Sequence, residues 1–544
     1  MKKILPFLFL ALTVSSCSLD EKIESSSVKE KYYKTSAQCL TGLNGCYIPL
    51  RNIYGNISYF VVTECQADMI YYNGTDVMDA ILEVSQSKPQ FGTTMWTQGY
   101  IGVSRCNAME AAIRKAPISD EEKAPLMAEM TILRAFYYYI LTANFGDVPF
   151  YEEEVTDANN DAIATLPRYP AKKIREKMVD ELREWILDKK ALSFTRTYDN
   201  NSNPEHRMGA AVGLMLAGRM SLWDGYWNEA VEFFSKLEKI YGNLESYPVS
   251  DIKFRNKYTR ESIFEVSYTV DDYKLQVYHS LSSRCLPRRE QYASSNPDEE
   301  LDIRSQDDEV DYYAGIGIPE LGRYCTTRNP FRPTNKAYSL LPYSGNDKRT
   351  CSSRAGGDVE DGGGWMAWGW TGYTPEDDRS TDKPHWRFFS GVSQTSRPYL
   401  GDKFWCFGMH YTYDSNNIKV FRYGGAVLGL AEAWRELGDL DKSLSYLNKV
   451  RRRAGASEYT GSFTADRIRQ LIMDEYGIEL FGEYSRKHDL VRWDVWNDVV
   501  SENTNAGRLN QKRKPCHRYY PIPSEQITYS RGALDNKEYE EYGL

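Results

Sequence analysis

Two groups of side chains in this sequence are spaced for chemistry, and a third is a weaker candidate. Cys17 ends Val14-Ser15-Ser16-Cys17, an aliphatic residue, two small ones and a thiol. A thiolate is a nucleophile, so a lipid donor can alkylate it before a peptidase cuts ahead of it. The second group is WMAWGWTGY, which holds Trp365, Trp368, Trp370 and Tyr373. Flat rings with polar edges cover the apolar C–H face of a sugar, while neighbouring Asp, Asn and Arg bond its hydroxyls. The bland alternative is that these rings form the core of their own segment or meet a partner protein. The third group is Tyr71, Tyr72 and Asn73 in DMIYYNGTD, which reads as a loop after the first helix, closed by Gly74. A solvated connecting loop would look the same.

Bond-breaking machinery finds no support. Hydrolysis of a glycoside needs two carboxylates flanking one bond, and the acids of QDDEVD and EDGGGW are not spaced as a pair. There is no G-x-S-x-G, and Gly362-Gly363-Gly364 lacks the Lys-Ser/Thr of a phosphate loop. The six His are scattered without H-E-x-x-H, so no metal site and no cofactor is expected. The ten Cys show no C-x-x-C, and nine remain once Cys17 is set aside. Such dispersed thiols in a long chain read as buried side chains, not as a disulfide framework.

These groups need elements to position them. Lys2 and Lys3 precede an apolar run from Ile4 to Val14, far shorter than the roughly 20 residues of a membrane-spanning helix. Residues 1–16 therefore read as a cleaved lipoprotein signal peptide, and 17–34 as a flexible polar tether. The rest, 35–544, reads as one domain. Net charge is −9, and the basic runs are short, as in Arg451-Arg452-Arg453, which argues against a nucleic-acid partner. Aromatic residues make up 13% of the chain and Tyr alone counts 41, which suits extended amphipathic contact.

The spacing predicts mostly helix over about 35–250 and 420–500. In LMAEMTILRAFYYYILTANFGDVPF, Leu126, Met130, Leu133, Tyr137, Ile140 and Leu141 make one apolar face, stopped by Gly146 and Pro149. Ile174, Met178, Leu182 and Trp185 line one side of the next helix. Trp96 shares helical spacing with Tyr100 and Val103 and reads as core. Asp224-Gly225-Tyr226 and Gly438-Asp439 each join two helices in the manner of a tetratricopeptide unit, which must stack on neighbours. Small residues such as Ala217 and Gly218 let a partner helix come close. Between about 251 and 420 helical periodicity fades, and ESIFEVSYTV alternates like a strand. This segment reads as an irregular, partly β insert on the scaffold, with 501–544 as a C-terminal tail.

Assembled in order, these stretches resemble the SusD/RagB family of nutrient-binding outer-membrane lipoproteins. The resemblance rests on LRAFYYYILTANFGDVPF, PTNKAYSLLPYSGNDKR, RYGGAVLGLAEAWRELG with LNKVRRRAG, IELFGEYSRKHDLVRW, YYPIPSEQI and LDN, together with the lipobox at Cys17. It implies a mostly α-helical fold of four tetratricopeptide-like helix pairs with a variable insert. It also implies a non-enzymatic receptor at the cell surface, held to the outer membrane by lipid on Cys17. Such a receptor binds oligosaccharide, or peptide in some members, and serves a SusC-like TonB-dependent transporter. The loop with Tyr71, Tyr72 and Asn73 would face the ligand. A protein-binding scaffold without a small ligand is the other reading of the helix pairs. Gly424 and Gly425 depart from the family's Ala-Glu, which should weaken that helix start by about 1 kcal/mol per Gly. Tyr484-Ser485 departs from the small residue before Arg486. Arg134, Asp147, Arg486, Asp489 and Arg492 lie in shared motifs and read as structural ion pairs and caps.

Overall fold

The computed structural model describes residues 32–74, 76–199, 206–269, 277–285, 330–340, 346–349, 366–367, 399–400, 402–404, 406, 413–501 and 512–544. The helices that carry the fold are α1 (Ser36–Tyr54), α2 (Gly92–Lys115), α3 (Asp120–Phe145), α4 (Ala171–Arg183), α5 (Ala210–Asp224) and α6 (Trp227–Tyr241). They continue with α7 (Tyr423–Glu436), α8 (Leu440–Ala454), α9 (Ala465–Glu479) and α10 (Arg486–Arg492). Short strands are β1 (Ile70–Tyr72), β2 (Ser262–Val266), β3 (Phe331–Pro333), β4 (Met366–Ala367), β5 (Tyr399–Leu400) and β6 (Ile418–Arg422). Among the described residues, no helix is long and apolar enough to cross a membrane.

From α1 to α8 each helix packs on the next, so four helix pairs form one stack. The stack is continuous across the break in sequence, because α6 packs directly on α7. One ring makes that close approach possible. A Cβ on Gly218 of α5 or on Gly429 of α7 would stand 2.4 Å from the Phe234 ring of α6. Phe234 is fully buried between the two glycines, where a ring contributes about 1.5–3 kcal/mol. At the joint between α5 and α6, Gly225 adopts φ 78°, ψ 20°, the left-handed conformation that glycine takes without penalty.

The structure corrects several local expectations. Helix α3 starts at a Ser119–Glu122 capping box, and from Leu126 to Phe145 it is buried all round rather than on one face. The reason is its place: α1, α2, α4 and α5 all pack on it. Its polar side chains therefore need partners. Thr142 donates to Tyr138 O at 2.7 Å, and Arg134 bonds Glu181 at 2.8 Å and Asn107 at 3.2 Å. Trp185 stays half-exposed under Lys189, because a π turn at Glu184–Asp188 brings Ile186 to the buried position. Strand β2 does not alternate; all five residues are buried, with α1 and α5 against it. It pairs antiparallel with β6, so the chain leaves the stack and returns to it through one strand pair.

Asp147 accepts the Ala171 N–H at 2.8 Å and caps α4. Arg492 pairs with Asp489 at 2.9 Å and with Glu432, and Arg219 pairs with Asp489 at 2.9 Å. Trp96 is core, 4% exposed. The seven cysteines among the described residues are buried.

A buried charge cluster ties the intervening segment to the stack. Arg422 bonds Glu261 at 2.6 Å, Glu479 at 3.1 Å and Glu483 at 2.8 Å. Arg349 bonds Glu475 at 2.6 Å and Glu479 at 3.0 Å, and Arg453 bonds Glu261 at 3.0 Å. Each charge is repaid only by its partners, so removing one leaves another stranded in low dielectric, at about 3–5 kcal/mol.

Candidate functional site

Tyr71, Tyr72 and Asn73 do not form a loop. Ile70–Tyr72 is strand β1, paired antiparallel with β3 in the register Ile70↔Pro333, Tyr71↔Arg332 and Tyr72↔Phe331. The Asn73 N–H extends the pairing to Pro330 O at 2.7 Å, and the Thr334 N–H donates to Met69 O at 2.9 Å. Strand alternation then sorts the three candidates. Tyr72 points inward: its ring meets Phe331 with centroids 5.6 Å apart, and its hydroxyl donates to Asp76 and accepts from Arg284 at 3.5 Å. Tyr71 is half-exposed on the other face and Asn73 is exposed. Of the three, Tyr71 and Asn73 can meet a ligand.

Arg332, which no local pattern marks, joins them. It stands opposite Tyr71 on the same face. With the Asn73 amide oxygen turned toward the guanidinium, Arg332 Nη2 and Nη1 lie 3.0 and 3.3 Å from it. Arg332 is 9% exposed, and its Nε is buried with no hydrogen-bond partner among the described residues. Only the β1–β3 pairing, made across more than 250 residues of sequence, reveals this neighbour.

The shared motif around Arg486 holds this strand from beneath. Asp68, just before β1, is fully buried and accepts from Arg486 at 2.7 and 2.9 Å and from Lys336 at 2.6 Å. Burial alone would raise the Asp68 carboxyl, but the two cations hold it well below the usual carboxylate range. Glu64, in the π turn Val61–Cys65, accepts the N–H groups of Gly482, Ser485 and Arg486 at 3.2, 2.8 and 3.2 Å. Burial pushes its carboxyl up to about 8 against the pull of these donors. Both acids thereby fix the start of β1 to the turn before α10.

The aromatic group Trp365, Trp368, Trp370 and Tyr373 lies outside the described residues, as does Cys17. Met366–Ala367, between Trp365 and Trp368 in sequence, forms β4 and pairs with β5. Strand β5 packs beside β3. The β1–β3 pair and the β4–β5 pair are thus neighbours, each a separate two-stranded sheet. Among the described residues, no three of His, Cys, Asp and Glu gather as a metal site. The arrangement offers a phenol ring, an amide and a guanidinium around one strand edge, which suits directional bonding to hydroxyl or carbonyl groups.

Comparison with known proteins agrees with this architecture. A family model described as "SusD family" matches residues 408–539, and one described as "Starch-binding associating with outer membrane" matches 19–179. The SusD-like protein P25 of Formosa agariphila is 23% identical over 98% of this chain and 98% of its own length. The starch-binding protein SusD of Bacteroides thetaiotaomicron is 30% identical over 24% of this chain and 23% of its own. Among solved structures, surface glycan-binding protein A from Bacteroides thetaiotaomicron superposes with a TM-score of 0.68 at 20% identity, covering 93% of this chain and 99% of that one. The same protein in complex with laminarihexaose superposes at 0.66 and 18% identity, covering 92% and 98%. With one model at each end, relatives aligned along the whole length and the same helix stack between, the chain belongs to the SusD/RagB family.

Proposed function

We propose that this protein is a cell-surface lipoprotein that binds an oligosaccharide or polysaccharide and delivers it to a partner TonB-dependent outer-membrane porin, with no chemical step of its own. The observation that carries the reading is that the β1–β3 and β4–β5 pairs adjoin: Tyr71, Asn73 and Arg332 belong to the first, and the sequence flanking β4 holds Trp365, Trp368, Trp370 and Tyr373. Indole faces cover the C–H faces of pyranose rings, and the amide and guanidinium bond the hydroxyls. One stacked ring hides about 100 Å² of apolar area, near 2.5 kcal/mol before ordering costs. Two or three such contacts give dissociation constants of roughly mM to tens of μM, weak enough to release the ligand to a transporter. Relatives named for starch and laminarihexaose support a glycan. Lipid on Cys17 would hold the receptor at the outer membrane, with which the matched family model associates its members.

The test is affinity electrophoresis in gels cast with laminarin, starch, xylan, pectin or mannan. Retardation by one of them, weakened in the Trp368→Ala/Trp370→Ala double variant, is the expected result. Free migration in every gel, with peptides bound in calorimetry instead, would replace the glycan by a peptide. Co-purification of a porin after mild detergent extraction checks the delivery step.

A further inference from the structure

A second concavity shares no residue with these strand pairs. It is a cleft of 530 Å³ between helix α2, the segment Pro149–Tyr151 and the short helix Ser524–Tyr529 of the C-terminal tail, within the size range of ligand pockets. Its floor is aromatic and rigid. The Tyr100 and Tyr151 rings are parallel within 6° with centroids 6.2 Å apart, and Trp96 lies 4.9 Å from Tyr100. Tyr100 is pinned by its hydroxyl, which donates to Pro149 O at 2.7 Å. The Tyr151 backbone is clamped on both sides by the Tyr138 hydroxyl, which donates to its carbonyl at 2.7 Å and accepts from its N–H at 3.0 Å. Tyr529, 66% exposed, stands at the rim.

The polar groups around this floor face solvent: Thr97 and Tyr529 are exposed and Ser104, Tyr151 and Gln526 half-buried, all five in the lining of one concavity. Hydroxyl and amide groups beside ring faces in one recess suit a ligand that brings both apolar faces and hydroxyls. The one charged side chain in the lining is Arg105, which donates to Gly45 O at 2.7 Å. No carboxylate lines the cleft to repel an acidic ligand.

We propose that this cleft is a second saccharide-binding site, which takes a short run of pyranose units of the same glycan, neutral or uronate-bearing. Tyr151 and Tyr529 present ring faces to it, and Thr97, Ser104 and Gln526 bond its hydroxyls. This rests on the glycan-binding reading above and adds to it. Two weak sites engaging one long chain give avidity that neither has alone, provided the chain spans them.

The experiment uses the full mature chain and the same five gels. Tyr529→Ala and Gln526→Ala alter groups at the open rim, so folding is retained, and circular dichroism melts check it. The double variant should weaken binding of the retarding polysaccharide about 10-fold and lower the calorimetric stoichiometry of its hexasaccharide from two to one. Trp368→Ala/Trp370→Ala should leave the remaining site measurable. Retardation and stoichiometry unchanged in the tyrosine–glutamine variant would overturn the second site while leaving the first standing. Loss of porin co-purification in that variant, with saccharide binding intact, would also overturn it and make the cleft a protein contact. No retardation of the unaltered chain in any gel would overturn both readings together.

Discussion

At the scale of single residues, Gly424 shows how a local rule can point the wrong way. Helix propensity reads Gly424 and Gly425 as two weak positions at the start of α7, each improvable by alanine. The structure separates them. A Cβ on Gly424 would stand 2.8 Å from Glu479 Oε1 and 3.1 Å from Glu261 Oε1, inside the buried charge cluster. The Gly424 N–H also donates to Glu261 Oε1 at 3.3 Å. A Cβ on Gly425 would meet Met215 Cε at 3.3 Å, the flexible end of a side chain that can move. Gly424→Ala should therefore destabilise by about 1–3 kcal/mol through overpacking, whereas Gly425→Ala should be neutral or stabilise by up to about 1 kcal/mol. Urea midpoints of the two variants, measured side by side, decide it. A gain in both would mean that the carboxylates give way easily and that the cluster is looser than its geometry implies. Tyr484 is a similar departure: at φ 59° it occupies a region that costs a tyrosine energy, and its buried ring against Tyr54 and Phe60 offsets that cost.

At the scale of elements, helix α10 and the turn Pro515–Arg518 carry a pH dependence that pattern alone could not supply. His488 on α10 is buried, with its Nε2 3.2 Å from Asn144 Oδ1, and His517 on the turn is buried with its Nε2 3.3 Å from Val84 O. Burial, with Lys487 nearby, pushes His488 down to about 3 and His517 down to about 4. In the unfolded chain both would take a proton near pH 6.5. Between pH 6.5 and 4 the unfolded state thus binds more protons than the folded one, and stability falls as the solution is acidified. Each histidine contributes about 2 kcal/mol of this loss between pH 7 and 5. Glu64, raised to about 8, acts in the opposite sense over the same window, so the whole-protein slope is a sum. His488→Asn isolates one part: its loss of stability from pH 7 to pH 5, followed by urea midpoints, should be smaller than that of the unaltered chain by about 2 kcal/mol. An unchanged slope would mean that His488 is already protonated in the fold. Much of what surrounds these elements was readable from spacing. The turn at Gly225, the core place of Trp96 and the pairing roles of Arg134, Asp147 and Arg492 follow from residue type and motif. The all-round burial of α3 was not readable, because α1, α2, α4 and α5 close on it together. Nor was the strand at Tyr71: its partner, β3, has only three residues and no period long enough to announce itself.

At the scale of the whole molecule, one arrangement links the helix stack to the short strand pairs. Helix α1 opens the stack close to the N-terminus, and β2 and β6 send the chain out of the stack and bring it back. The chain that leaves between them supplies β3, β4 and β5, and Arg349 within it is bolted to Glu475 and Glu479 of α9. Segments between β2 and β6 can therefore vary in length and composition while the stack stays the same. Their register against β1 depends on a pairing made across more than 250 residues of sequence, so the candidate ligand residues were the least readable part of the sequence. The N-terminal end completes the arrangement. A chain running from Cys17 to Tyr32 reaches at most about 50 Å, so a lipid on Cys17 would confine the receptor to a thin layer at the membrane, at an effective concentration near mM toward a partner in the same layer. One acyl chain gives marginal, reversible attachment, whereas two or more hold firmly. The unaltered protein, expressed in its native host, should sediment with outer membranes and yield an N-terminal peptide acylated at Cys17 by mass spectrometry. Cys17→Ser should leave glycan binding in gels unchanged, move the protein to the soluble fraction and abolish growth on the bound polysaccharide. Sedimentation of the serine variant with membranes would show that another contact, not the lipid, holds the receptor in place.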